Sequence, residues 1–325
     1  MLVDLTPPDW ARFLQSDLTD WQRAPLPVDD VSPFEIPDDA WFEYAWVDEA
    51  GERRPDPDNP NPILNPWWDF ASNIAGPRYA PDPDVVPEGV KRRGRVLRMT
   101  VASKVLGKER HLLVYSPAGR AEDELPLVLF NDGKAYYGWG RTPQVMDRLL
   151  ARGEIEPAHL VFVPPSQRTK EYAFNPAYRK FLTDELLPEV EKRIRCDGRR
   201  TVWGASLSGL LAGTLAVERP DLFQCVVSQS GAFLFSPDMD YANPFKGKES
   251  FIENLHEGEP AAIRWHLECG SLEWLLGSNQ RLAAALEQAG ADVTFVVRSA
   301  GHNWVNWRNG LAAGLRRALN PLQDT

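Results

Sequence analysis

The chain is poor in several things, and each shortage excludes something. Cysteine occurs three times in 325 residues, at Cys196, Cys225 and Cys269, far apart and odd in number. That excludes a disulfide framework and a cysteine-rich metal motif, and it points to buried thiols in a reducing, cytoplasmic setting. No apolar run approaches bilayer length, and the N-terminal MLVDLTPPDWARFL lacks the basic and apolar regions of a secretory leader. Positive charge is in deficit: 36 Lys and Arg stand against 46 Asp and Glu, a net −10. Nucleic acid and an anionic membrane surface are therefore disfavoured as partners. Histidine is scarce too, with five in the chain, so any general base comes from a short set. No internal repeat is present.

What is present suits a soluble protein with a real core: 43% hydrophobic and 25% charged residues. The length favours one large α/β domain and a smaller one. Prolines and tryptophans crowd the first third. There a short helix is expected near Asp9–Leu14, then a proline-bearing linker. WFEYAWVD, Trp41–Asp48, reads as an aromatic-rich strand. The prolines of Arg53–Pro66 exclude helix and central strand alike. Within that loop, Asp56 to Pro62 resembles the D-P-x-N-P loop of small β-sandwich modules ahead of some esterases and α-glucan enzymes. Arg78–Gly89 reads as a linker. The expected division is a β-sandwich (early-set, Ig-like) module over 1–89 and a catalytic domain over 90–325.

After residue 90 the pattern changes to short apolar runs. Strands are expected at Arg95–Ser103, Glu109–Ser116, Leu125–Asn131, His159–Val163, Thr201–Gly204, Cys225–Gln229, Ala262–Glu268 and Val293–Arg298. Helical patterns lie at Thr142–Arg152, Pro176–Arg195, Leu207–Glu218, Gly277–Ala289 and Trp304–Leu319. Two strands followed by alternating strand and helix is the layout of an α/β-hydrolase fold with a central, mostly parallel sheet.

The stretch TVWGASLSGLLAG, Thr201–Gly213, has the look of a strand-turn-helix presenting a serine. Gly204 and Ser206 fit a G-x-S-x-G elbow, but Ser208 stands where the second glycine is usual. Ser208 is small enough for strand and helix to approach closely. Ser206 is either a nucleophile or a helix N-cap. The base in the correct chain order is His302, at a Gly-His turn after the last strand. His111, His159, His256 and His266 read as structural or exposed. The acid should follow the preceding strand. Glu273, in its loop, is favoured over Glu268 at the strand end, with Asp292 third. One oxyanion donor is expected at the N–H of Leu207. A second is expected at Gly133 or Lys134, in the loop Asn131–Gly140.

Together these segments resemble the enterochelin esterase family, in the esterase D-like group of α/β-hydrolases. The likeness is carried by PLVLFNDGKAYYG, by SQRTKEYAFNPAYRKFLTDELLPEVEKRI, by GASLSGLLAG with FQCVVSQSGAFLF, and by ECGSLEWLLGSNQRLAAAL with AGHNWVNWRNGL. It covers roughly residues 90–320. The resemblance implies a serine esterase with Ser206 as nucleophile, His302 as base and Glu273 as acid, needing no metal or organic cofactor. The family's namesake chemistry opens the ester bonds of a catecholate siderophore trilactone inside the cell, with iron as part of the substrate. Arg168, in the R-x-x-E segment, would then face an anionic substrate; its alternative is an i,i+3 ion pair with Glu171. A ferric catecholate calls for local positive charge, which Lys134, Arg141, Arg168, Lys170 and Arg308 could supply. Tyr136, Tyr137, Trp139, Trp304 and Trp307 could stack on its rings. The expected partner is a small-molecule ester, and the sequence leaves a homodimer open. Other acyl or carbohydrate-linked esters, and ligand binding without turnover, are the alternatives.

Overall fold

The computed structural model describes residues 1–19, 21, 25–238, 247–255 and 259–320; His256 lies outside them. The N-terminal strands are β1 (Leu2–Val3), β2 (Phe13–Ser16), β3 (Leu26–Pro27), β4 (Phe34–Glu35), β5 (Trp41–Val47), β6 (Arg53–Arg54) and β7 (Ser72–Ala75). They form small antiparallel sheets. One is a β1–β4 ribbon; the other runs β3-β2-β5-β6, with β7 also paired to β5. The expected helix at Asp9–Leu14 is absent. Phe13–Ser16 instead pairs with Tyr44–Val47, where β-sheet hydrogen bonds and burial of Leu14 outweigh local helix propensity. The aromatic run of β5 is buried along its whole length.

The hydrolase sheet has eight strands among the described residues: β8 (Arg95–Ser103), β9 (Lys108–Ser116), β10 (Glu124–Asn131), β11 (His159–Val163), β12 (Arg195–Ala205), β13 (Cys225–Gln229), β14 (Arg264–Gly270) and β15 (Asp292–Arg298). Their spatial order is β15-β14-β13-β12-β10-β11-β9-β8. Strands β11 to β15 and β10 are mutually parallel where they pair, and β9 and β8 complete the sheet antiparallel. The apolar runs of β11 and β13 are buried throughout, as strands covered on both faces must be. One face packs on the helix Leu207–Glu218 and the segment 178–194, the other on the helices Thr142–Ala151 and Leu311–Leu319.

The structure departs from the sequence reading at four further places. The helix expected over Pro176–Arg195 is interrupted by a π-helical turn at Phe181–Leu186, and the chain is already in β12 by Arg195. Pro188 has no N–H for the carbonyl four residues earlier, so the ladder changes register there. The last helix divides at Gly310 into Trp304–Asn309 and Leu311–Leu319. The loop after β10 contains a short helix, Gly133–Gly138. The linker Arg78–Gly89 is packed rather than free: Asp84 meets Arg152 at 2.6 Å and Arg316 at 2.7 Å, and Val86 is buried.

Candidate active site

Strands β10 and β12 lie side by side in parallel, so the turns that leave their C-terminal ends are neighbours. Ser206 occupies the β12 turn at φ +58°, ψ −123°. A non-glycine residue holds such a conformation only where the surroundings enforce it. Here the Ser206 N–H donates to the Gln229 carbonyl at 2.9 Å, and its own carbonyl accepts from Gly209 and Ala232. A Cβ on Gly204 would lie 2.1 Å from the Ser208 carbonyl oxygen, so strand and helix touch there as the sequence implied.

Ser208 has a defined place. Its hydroxyl accepts from the Ala205 N–H at 2.7 Å and shares its proton between Asp132 Oδ2 at 2.7 Å and the Ala205 carbonyl at 2.8 Å. Asp132 holds the β10 turn, so this serine ties the two turns together. Arg168 completes the knot. It donates to both Asp132 oxygens at 2.8 Å and to the Ala205 carbonyl at 3.0 Å. The guanidinium expected to meet substrate thus braces the elbow. Its alternative partner is also excluded, because Glu171 bonds Arg110 and Lys108 instead. Nothing in the sequence pattern singled out Asp132, although the Asn-Asp-Gly turn was a usable signal.

His302 Nε2 lies 3.1 Å from Ser206 Oγ, and His302 Nδ1 lies 2.6 Å from Glu273 Oε2. The other Glu273 oxygen accepts from the Gly270 N–H at 2.5 Å and from Ser230 Oγ at 2.6 Å. Ser230 in turn accepts from Trp307 Nε1 at 2.9 Å. The carboxylate is therefore fixed from behind before it reaches the imidazole. Ser230, itself at φ +49°, was not anticipated; the Ser-Gly turn after β13 was the available clue. Glu268 points elsewhere, to His266 at 2.7 Å and Arg298 at 2.9 Å. Asp292 pairs with Arg317.

The two anticipated oxyanion elements sit at helix starts. Leu207 opens the elbow helix and Gly133 and Lys134 open the helix after β10; first-turn N–H groups have no intrahelical acceptor. Gly133, Lys134 and Tyr137 also line an apolar cavity of about 480 Å³ with Leu113, Phe162 and Pro164. Tyr136 and Trp304, expected at the substrate, are 0% and 2% exposed. Tyr136 donates to Gln229 at 2.8 Å and packs on Phe130, Trp203 and Trp304, so both rings support the site from inside the core. Among the described residues no group of three or more His, Cys, Asp and Glu is gathered as for a metal ion.

The N-terminal sheets reach this site. The Trp41 N–H donates to the Ser299 carbonyl at 2.9 Å, and Trp41 bridges Ala300. Asn303 Nδ2 donates to Asp17 at 3.1 Å, and a Cβ on Gly301 would fall 1.8 Å from the Asp17 carboxyl carbon. Asp17 is buried, and also accepts from Trp21 at 2.9 Å and the Glu43 N–H at 2.7 Å. Burial raises its pKa to about 7 against those donors; burial and the Asp17 charge raise Glu43 to about 8. No spacing in the sequence signals a contact between residues 17 and 303.

A mostly parallel sheet carrying a serine on a strained elbow, with histidine and carboxylate in order after later strands, defines an α/β-hydrolase. Residues 103–318 match the family described as "Putative esterase", and the chain belongs to that family of enterobactin esterase-like proteins. It is 29% identical to the iron(III) enterobactin esterase of Escherichia coli K12 over 233 residues, 68% of this chain and 56% of that protein. The chain thus spans little more than half the length of that relative. The structure of a ferric enterobactin esterase from Salmonella typhimurium superposes with a TM-score of 0.75 at 24% identity, covering 96% of this chain and 89% of that one. A ferulic acid esterase superposes at 0.59 with 22% identity, over 70% and 98% of the two chains. Among the described residues no helix is long and apolar enough to cross a membrane.

Proposed function

We propose that the chain is a carboxylic ester hydrolase working through Ser206, His302 and Glu273. The observation that carries this is the unbroken relay from Ser206 Oγ to His302 to Glu273, at 3.1 and 2.6 Å, on an elbow with φ +58°. Glu273 holds the proton of His302 on Nδ1, leaving Nε2 to accept from the serine. As Ser206 attacks the ester carbonyl, His302 takes its proton, and the carbonyl oxygen gains charge. The N–H of Leu207 and that of Gly133 or Lys134 receive that oxyanion. Imidazolium then protonates the leaving alcohol. Water, deprotonated by His302, cleaves the acyl-enzyme and returns the proton to Ser206.

Kinship with enterobactin esterases supports an aromatic ester as substrate, and a catecholate siderophore with its iron is the first choice. A reducing cytoplasm suits the unpaired Cys196, Cys225 and Cys269. One observation favours a less charged aromatic ester, such as a feruloyl ester. Arg168 is neutralised by Asp132 and Arg141 bonds the Val86 carbonyl, so two of the five expected cations are directed away from an anionic ligand. The deciding experiment is fluorophosphonate labelling mapped by peptide mass spectrometry, followed by hydrolysis of ferric enterobactin and methyl ferulate. Labelling at Ser206 that disappears in Ser206→Ala is expected. An unlabelled, folded protein would leave a ligand-binding hydrolase fold.

A further inference from the structure

Exposed tryptophan is rare in this molecule. Of the twelve, Trp67 and Trp139 are the large exposed ones, at 45% and 52%. Trp67 belongs to the N-terminal module yet sits against the helix that follows His302. Its ring meets Trp304 at 5.4 Å and Trp307 at 5.5 Å, and Trp307 meets the His302 ring at 5.1 Å. Trp274 also meets the His302 ring, at 6.0 Å. An aromatic series therefore runs from the module, past the imidazole, to the acid loop.

The ring is also held in place. Asn65 is buried, and its Oδ1 accepts from the N–H groups of Trp67 at 3.0 Å and Trp68 at 3.2 Å. Its amide donates to Glu43 at 2.8 Å. Pro66 fixes φ immediately before the tryptophan. Ile63 and Leu64 in the same loop are exposed as well, at 37% and 39%. A braced loop that presents apolar surface one ring removed from His302 has no evident folding reason to do so; scattered exposed apolar residues are ordinary, but a braced cluster marks a contact surface.

We propose that Trp67 is a specificity-determining residue: its exposed ring stacks on the aromatic part of the ester, so the N-terminal module supplies one wall of the substrate site. This rests on the esterase reading above. It assigns the preference for an aryl acid or aryl alcohol group to the module rather than to Tyr136 or Trp304, which are sealed in the core. Offset or edge-on pairing with a planar, electron-rich ring is the favoured geometry for an indole. Losing it weakens ring binding about tenfold and leaves the reacting atoms alone.

The test uses the full chain and its Trp67→Ala and Trp67→Phe variants, with methyl ferulate and methyl hexanoate as the substrate pair. Trp67→Ala should raise KM for methyl ferulate about tenfold with kcat within about twofold, and Trp67→Phe should recover most of it. Methyl hexanoate should be hydrolysed by all three alike, which also shows that the variants are folded. Equal losses on both esters, or no change on either, would overturn the proposal. Titration with ferulate, read by intrinsic fluorescence, separates it from the esterase reading. Trp67-dependent binding by a chain whose Ser206 takes no fluorophosphonate and that hydrolyses neither these esters nor ferric enterobactin would sink the esterase reading and keep the aromatic wall; wild-type protein that neither binds ferulate nor prefers methyl ferulate would sink this proposal.

Discussion

Two histidine–glutamate pairs, one in loops and one inside a strand, share little except their contact distance. His302 and Glu273 meet at 2.6 Å, His266 and Glu268 at 2.7 Å. His266 and Glu268 lie within β14, almost fully buried, and Arg298 and Gln229 close round the carboxylate. The other His266 nitrogen, Nδ1, finds no partner among the described residues. His302 sits on a loop, part-exposed, with its second nitrogen on Ser206. A short imidazole–carboxylate contact is thus no signature of chemistry by itself. A serine hydroxyl on the far nitrogen and partial exposure to solvent make the difference.

The strongest way to break this comparison is to remove the Ser206 hydroxyl. Ser206→Ala should lower kcat by more than ~10⁴-fold while Tm holds or rises, since alanine removes the hydroxyl and little packing. Activity that survives would place the chemistry elsewhere. The next is to neutralise each glutamate in turn. Glu273→Gln should lower kcat by roughly 10²–10⁴-fold, because the imidazolium loses its counter-charge and its tautomer control. Glu268→Gln should instead destabilise by about 3 kcal/mol, leaving Arg298 and His266 facing a neutral amide. Burial opposes ionisation of Glu268, but the Arg298 charge and the His266 contact outweigh it and lower its pKa to about 2. A depressed carboxylate stabilises above its unfolded pKa and loses that contribution as pH falls through about 2. The wild type should therefore lose its advantage over Glu268→Gln between roughly pH 4.5 and 2. Swapped phenotypes, with Glu268→Gln inactive and Glu273→Gln merely unstable, would reverse the assignment.

A smaller effect is expected at Ser208. Ser208→Ala should cost about 1–2 kcal/mol, because Asp132 and the Ala205 N–H both lose their partner while Arg168 still holds the carboxylate. A chemical-denaturation midpoint reads this directly. No loss would mean that Arg168 alone joins the two turns.

How much of this was readable in the chain follows from how local each signal is. The sheet was readable because buried parallel strands are short apolar runs; His159–Val163 and Cys225–Gln229 form where the pattern put them. The triad candidates were readable because their order along the chain and their turns are local features. Glu273 over Glu268 was a reach argument; Glu273 is the one of the two within 2.6 Å of His302 Nδ1, while Glu268 meets His266 and Arg298. What was not readable depends on partners far away in sequence. Arg168 could face substrate or a helix neighbour by pattern, and Asp132, 36 residues earlier, takes it. Tyr136 and Trp304 have aromatic character but no pattern that separates core from cleft. Pro7 and Pro8 precede a segment whose strand character comes from β5, about 30 residues on.

A third buried pair, two carboxylates this time, is Asp17 with Glu43, and it sharpens the comparison because no cation contacts it among the described residues. Both are buried, and the donors that reach them among the described residues are neutral: Trp21, Asn303 and the Glu43 N–H on one, Trp41 and Asn65 on the other. Burial drives both pKa values up, with the Asp17 charge adding to Glu43 and the Glu273 charge to Asp17. A raised carboxylate binds its proton more tightly folded than unfolded, so its contribution is fully present below the unfolded pKa near 4 and is lost as pH rises through about 7 to 8. Stability should fall between roughly pH 4 and 8, opposite in sign to the acid-side loss at Glu268. Glu43→Gln removes one titrating group and the like charge that Asp17 feels. Its Tm should decline less across that window than the wild type's, by roughly 2–4 °C for each kcal/mol of relieved repulsion. Other titrations are common to both proteins and cancel in the difference. Parallel Tm curves would show that the neutral donors alone keep the pair ionised, and that the module's hold on the His302 loop does not depend on pH.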